Sequence, residues 1–171
     1  SRFSVTLEGM AGHAGTVPMG LRRDALAGAA EMIAAVEALA ANESDLVATV
    51  GRIAAAPGAI NVIPGRASFT IDLRAPDDDQ REAAVKSLKQ RLGSIATRRS
   101  LEIDIELLYS EGAAACHPGL MDQFDRAIER QGLRVLRLPS GAGHDAMALA
   151  ALCPIAMLFV RCGGGISHNP L

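Results

Sequence analysis

The sequence predicts an α+β chain in two parts: a ferredoxin-like β-α-β-β-α-β sandwich over residues 1–112, then an incomplete α/β segment, αβαβ, over residues 113–171. Three observations carry that reading. Stretches such as RFSVTLE and RASFTIDLR alternate apolar and polar residues, as half-buried strands do. Between the strands, one stretch carries apolar residues at helical spacing and another opens on a Pro-Asp-Asp-Asp helix-start signal, so both read as helices. Beyond Cys116 the order becomes helix and strand in turn, which suits a parallel sheet.

Each element has its own signal. Arg2 to Glu8 is the first alternating strand. Arg22 to Ala41 carries Leu26, Ala29, Ile33, Val36 and Ala40 at helical spacing, and Asn42 and Ser44 end it. Asp45 to Ala55 is a second strand, Ala56-Pro57-Gly58 a turn, Ile60 to Ile63 a short extended piece, and Pro64-Gly65 another turn. Arg66 to Arg74 alternates again. Pro76-Asp77-Asp78-Asp79 starts a helix, with acids where the helix dipole favours them, and the helix runs to about Arg98. Leu101 to Tyr109 closes the first part. Gly112 to Cys116 is small and featureless, a hinge. Then come a helix at Pro118 to Arg130, a strand at Arg134 to Leu138, a helix at His144 to Leu152 and a strand at Ile155 to Val160.

Composition excludes several functions. The chain is 49% hydrophobic with a net charge of −2, which builds a core and argues against disorder. It has no basic stripe interleaved with aromatics, so nucleic acid is not expected as a partner. The longest apolar run, Ala146 to Val160, is short of the ~20 residues of a membrane span, and Pro154 interrupts it. No membrane partner is expected. Three cysteines without a CxxC pair fit plain thiols in a cytoplasmic setting. The start on Ser1 and the stop just after a glycine-rich turn suggest a piece of a longer protein. Two strands and two helices bury too little to complete the second part, so residues 1–112 are expected to be an insertion in a larger α/β domain.

Glycine-histidine loops hold the candidate chemistry. GMAGHAGTVPM, residues 9 to 19, offers little to pack, and its glycines let backbone approach something closely around His13. Ser140-Gly-Ala-Gly-His144-Asp145 and Gly163-Gly-Gly-Ile-Ser-His168 each follow a strand of the second part. If those strands are parallel, both loops share the carboxyl edge where open α/β sheets bind ligands. A Ser140, His144 and Asp145 arrangement is conceivable, but chain neighbours rarely meet in triad geometry and no nucleophile elbow is present. The four histidines, His13, His117, His144 and His168, show no HxxxH pair, so spacing alone identifies no metal site. Arg74 ends the Arg66–Arg74 strand. In a β-α-β-β-α-β sandwich that strand and the first are expected to be adjacent and parallel, which puts Arg74 and His13 at one edge, where an arginine would grip a carboxylate in bidentate fashion. The blander alternative is a surface arginine paired with Asp72 or Asp77.

Taken in order, GMAGHAGTVPMGLRRDAL, GAINVIPGRASFTIDLRAP, LPSGAGHDAMALA and GGGISHNPL resemble the carbamoylase and allantoate amidohydrolase family, within the aminoacylase-like dinuclear metallohydrolases. The likeness spans essentially the whole chain. It implies a catalytic α/β domain that binds two divalent metals (zinc, manganese or cobalt) and an inserted α+β domain, residues 1–112 here, that forms a homodimer. It implies hydrolysis of ureido acids such as N-carbamoyl-L-amino acids, 3-ureidopropionate or allantoate.

By the same resemblance, His13 reaches into the partner subunit's active site and steadies developing negative charge. Asn61 and Arg74 hold the substrate carboxylate, Gly141 and Gly143 contact substrate through their backbone, and His168 is a metal ligand. Val17 stands where the family commonly has threonine, a mild departure. The family's other metal ligands and its glutamate base precede the inserted domain, so this chain alone is expected to be inactive and to hold no metal tightly. Asn61 and Arg74 are too far apart on an extended strand to meet one small carboxylate, unless the chain folds back at Pro64-Gly65 or they serve different sites of the dimer. Two other readings are a dimerisation module without catalysis and a related aminoacylase or peptidase.

Overall fold

A computed structural model describes residues 1–165. The elements are β1 (Arg2–Glu8), β2 (Gly12–His13), α1 (Ala25–Ala41), β3 (Val47–Ala56), β4 (Val62–Ile63), β5 (Arg66–Arg74), α2 (Asp78–Arg98), β6 (Glu102–Tyr109), α3 (Pro118–Arg130) and α4 (Asp145–Leu149). They fall into two compact units, Ser1–Gly112 and Ala113–Leu171.

In the first unit the predicted β-α-β-β-α-β order builds a four-stranded antiparallel sheet, β3-β5-β1-β6, with β2 and β4 as a separate two-stranded ribbon. The alternation read from the sequence is the burial pattern. Phe3, Val5 and Leu7 of β1 and Ala67, Phe69, Ile71 and Leu73 of β5 are buried, while Ser4, Thr6, Ser68 and Thr70 between them are half-exposed. Met32, Val36 and Leu39 of α1 and Leu88 and Leu92 of α2 belong to the same core. Both helices start where side chains satisfy their free amides: Asp24 accepts from the Ala27 N–H at 3.0 Å, and Asp77 from the Gln80 N–H at 2.8 Å. The Asp24 cap sets the start of α1 at Ala25, three residues later than the periodicity suggested.

One expectation about this sheet is wrong. β1 and β5 are adjacent but antiparallel, with Arg2 opposite Asp72 and Glu8 opposite Arg66. The helical crossover through α1 returns the chain in its original direction, so β3 runs parallel to β1. The turn into β5 then reverses it, and β5 slots between the two. His13 and Arg74 therefore lie toward opposite ends of the sheet.

In the second unit α3 forms as predicted. Pro118 occupies its first turn, and the His117 side chain caps it by accepting from the Gly119 N–H at 3.2 Å. The other predicted elements are corrected. Arg134 to Leu138 and Ile155 to Val160 join no sheet ladder, and the helix expected over His144 to Leu152 is only Asp145–Leu149. A parallel strand needs a neighbour on the ladder and cover on both faces, and the described residues of this unit supply neither. Leu136, Leu138, Leu152 and Val160 are exposed, and every buried hydrophobic side chain among the described residues belongs to residues 1–112. The pair of parallel strands that was to bring the loops around His144 and His168 to one edge is thus absent from the described residues. No helix among those residues is long and apolar enough to cross a membrane.

Candidate functional site

The loop around His13 is built by backbone pairing beyond the end of the main sheet. Past the Glu8–Arg66 pair, the Gly9 N–H donates to the Gly65 carbonyl at 2.7 Å. Gly12 then pairs with Ile63 and His13 with Val62, and the Ala14 N–H donates to the Asn61 carbonyl at 2.9 Å. The two arms therefore continue β1 and β5 as a narrow ribbon carrying His13 on one arm and Asn61 on the other. The ribbon is also tied back to the helical layer, because Met10 N–H reaches the Arg23 carbonyl at 2.9 Å and Ala25 N–H the Pro64 carbonyl at 3.0 Å.

Glycine is required at two points of this frame. A Cβ on Gly9 would sit 2.0 Å from the Arg23 carbonyl oxygen, and one on Gly65 would sit 2.8 Å from the Ala11 nitrogen. Neither backbone atom can step aside without breaking the ribbon. Gly9→Ala is therefore expected to destabilise the first unit by about 2 kcal/mol or more, a fall in Tm of roughly 10 °C in a thermal melt.

At the tip, residues 13–17 make one tight turn, with the Thr16 and Val17 amides both donating to the His13 carbonyl at 3.2 Å. The His13 ring is exposed, and its Nδ1 accepts the Gly15 N–H at 3.0 Å. Arg22 closes the turn from the other side. Its Nε donates to the Val17 carbonyl at 3.0 Å and its Nη2 to the Ala14 carbonyl at 2.6 Å. Sequence reasoning missed Arg22, reading it as the start of α1. The available signal was an arginine just after a glycine-rich loop and two residues before an N-cap aspartate. Large apolar side chains near the tip along the chain are exposed: Met19 and Leu21, which follow it, by 77% and 69%, and Ile60, which precedes Asn61, fully.

Arg74 is not part of this cluster. β5 is nine residues long, which at ~3.4 Å per residue places Arg74 roughly 27 Å along the strand from Arg66. Pro64-Gly65 does not fold the chain back to bring Arg74 to Asn61. Arg74 instead grips Asp72, Nε to Oδ1 at 3.0 Å and Nη2 to Oδ2 at 2.7 Å, the blander alternative read from the sequence. Those hydrogen bonds hold the Asp72 carboxyl below its ordinary range, with a further contribution from Arg2, and raise Arg74. A depressed carboxyl stabilises the fold above its unfolded value of about 3.9, and that contribution is lost as pH falls through the folded value. Because the pair is partly solvated, Asp72→Asn should cost about 1 kcal/mol or less at pH 7 and should flatten the acid limb of a stability–pH curve below about pH 4.

In the second unit, Gly141 and Gly143 lie on an exposed loop, and a Cβ on either meets nothing within 4 Å. No packing within the loop explains glycine there. Ser140 Oγ lies 2.8 Å from His144 Nε2, with Ser140 half-buried and His144 exposed. Asp145 opens α4 beside them. His168 lies outside the described residues. Among the described residues no three His, Cys, Asp or Glu side chains gather to hold a metal ion, so they do not fit a metal centre by themselves.

The family model described as peptidase dimerisation domain matches residues 1–99. An N-carbamoyl-L-amino-acid amidohydrolase of Pseudomonas sp. (strain NS671) is 42% identical over 99% of this chain and 42% of its own length. An allantoate deiminase of Arabidopsis thaliana is 41% identical over 99% of this chain and 38% of its own. Among solved structures, an amidase of the hydantoinase/carbamoylase family from Burkholderia multivorans superposes with a TM-score of 0.92 at 38% identity, covering 98% of this chain and 41% of that one. The chain spans about two fifths of the length of these relatives.

Proposed function

The chain belongs to the peptidase dimerisation domain family, and from that premise we propose that it is part of a dimeric amidohydrolase acting on the carbamoyl or ureido C–N bond of a small acid. Residues 1–112 form the homodimer, and residues 113–171 are a piece of the catalytic domain. The observation that carries this reading is the ribbon: an exposed histidine with its ring held at one nitrogen, carried past the end of the sheet, with exposed apolar side chains near it along the chain. A loop of that kind suits insertion into another body. His13 enters the partner subunit's active site and donates from Nε2 to the carbonyl oxygen of the ureido group as it gains negative charge.

Asn61 stands on the neighbouring arm and orients the same substrate. Arg74, at the far end of β5, serves the carboxylate at a different site of the dimer. Gly141 and Gly143 let backbone approach the substrate, and His168 is a metal ligand. The divalent metals implied by the family would be held by residues outside 1–165, His168 among them. The free thiols Cys116, Cys153 and Cys162 support a cytoplasmic setting.

The test is ammonia release by the purified full-length protein, supplied with divalent metal, from N-carbamoyl-L-amino acids, 3-ureidopropionate and allantoate. Turnover of at least one is expected. Cleavage of N-acyl amino acids or peptides instead would move the protein to the aminoacylase or peptidase side, and no turnover of any would favour a dimerisation module. On the productive substrate, Arg74→Ala should raise KM by about 10- to 100-fold and change kcat far less.

A further inference from the structure

We propose that Arg22 is a positioning residue that, together with the Gly15 amide, fixes His13 as the tautomer carrying its proton on Nε2. The proposal rests on His13 acting as a hydrogen-bond donor. A neutral imidazole has one donor and one acceptor nitrogen, and the partner of one nitrogen decides the role of the other. Here the Gly15 N–H points at Nδ1 from 3.0 Å. A proton on Nδ1 would set two donors against each other, so Nδ1 accepts and Nε2 carries the hydrogen outward.

That arrangement depends on the turn keeping its shape. Residues 13–17 hang from the His13 carbonyl, which takes both the Thr16 and Val17 amides. Arg22 braces the opposite side, spanning the turn from the Ala14 carbonyl to the Val17 carbonyl with two nitrogens of one planar fork. The route back to Arg22 is short and stiff. Pro18 fixes the exit, the single turn Met19–Leu21 follows, and the Leu21 N–H returns to the Pro18 carbonyl at 3.0 Å. A lysine has one charged nitrogen and no fork, so it cannot hold both carbonyls in this geometry.

Two measurements test this. Long-range nitrogen–proton NMR correlations of the 15N-histidine-labelled chain, with the His13 signals assigned by their loss in His13→Gln, report which ring nitrogen holds the proton when the ring is neutral. The wild-type chain should show the proton on Nε2, and both Arg22→Met and Arg22→Lys should show a mixture of tautomers. In the full-length enzyme the same variants should lower kcat about 10-fold or more, with KM little changed. A wild-type signal with the proton on Nδ1 overturns the proposal without any variant. So does an unmixed Nε2–H signal in Arg22→Lys, which keeps the charge and alkyl stem and so serves if Arg22→Met does not fold. Failure of the underlying reading looks different: His13→Ala then keeps full activity whatever the tautomer in the Arg22 variants.

Discussion

Replacing His13 with alanine in the full-length protein should lower kcat by about 10²- to 10³-fold, the effect of removing one preorganised donor to a developing oxyanion. The loss falls on kcat because the interaction strengthens as charge moves onto the carbonyl oxygen, so it is worth more in the transition state than in the bound ground state. The protein should otherwise be intact. His13 is exposed, lies outside the core and donates nothing to the frame through its ring, which only accepts from Gly15. Bound metal, dimer state and Tm should match the wild type. His13→Gln, which keeps an N–H donor on a similar stem, should recover part of the loss. Near-normal kcat in His13→Ala would remove the oxyanion role.

Phe69→Ala carries the largest expected effect on stability. Phe69 is 1% exposed at the centre of β5, opposite Val5 of β1 and Ile53 of β3. Deleting a buried ring of this size costs about 3–5 kcal/mol, a large share of the ~5–15 kcal/mol that holds a domain together. The midpoint of chemical denaturation of residues 1–112 should fall accordingly. Leu152→Ala makes the contrast, since Leu152 is 81% exposed and belongs to no core. Its effect should stay within about 0.5 kcal/mol. Equal losses from the two substitutions would contradict a core confined to the first unit.

The difference between these two residues also explains what the sequence made legible. Where an element is stabilised by its own chain neighbours and by one shared core, its pattern could be read directly. RASFTIDLR buries every second residue, and Asp77 caps α2 where the acidic run predicted. Strand direction was misjudged because alternation says which face is buried and nothing about which way a neighbour runs. Arg134 to Leu138 and Ile155 to Val160 have strand composition, but a strand exists only where a ladder partner does.

The candidate site divides the same way. Gly9 and Gly65 could be seen as glycines, yet only the fold shows that each abuts backbone from a distant segment. The pairing of Asn61 with the His13 arm required the ribbon, a feature two residues long on each arm. Arg22 was hidden in the first residues of a predicted helix, and its task is set by carbonyls that no side-chain pattern reveals.

The central claim is that His13 completes the active site of the other subunit. It is tested most directly by a heterodimer, purified through two different tags, of full-length His13→Ala paired with full-length His168→Ala. Each variant alone should form an inactive homodimer. If His13 acts across the interface, one of the two sites in the heterodimer receives both intact residues, and activity should return to about half that of the wild-type dimer. If His13 serves its own chain, both sites lack a residue, and a heterodimer as inactive as its parents contradicts the account.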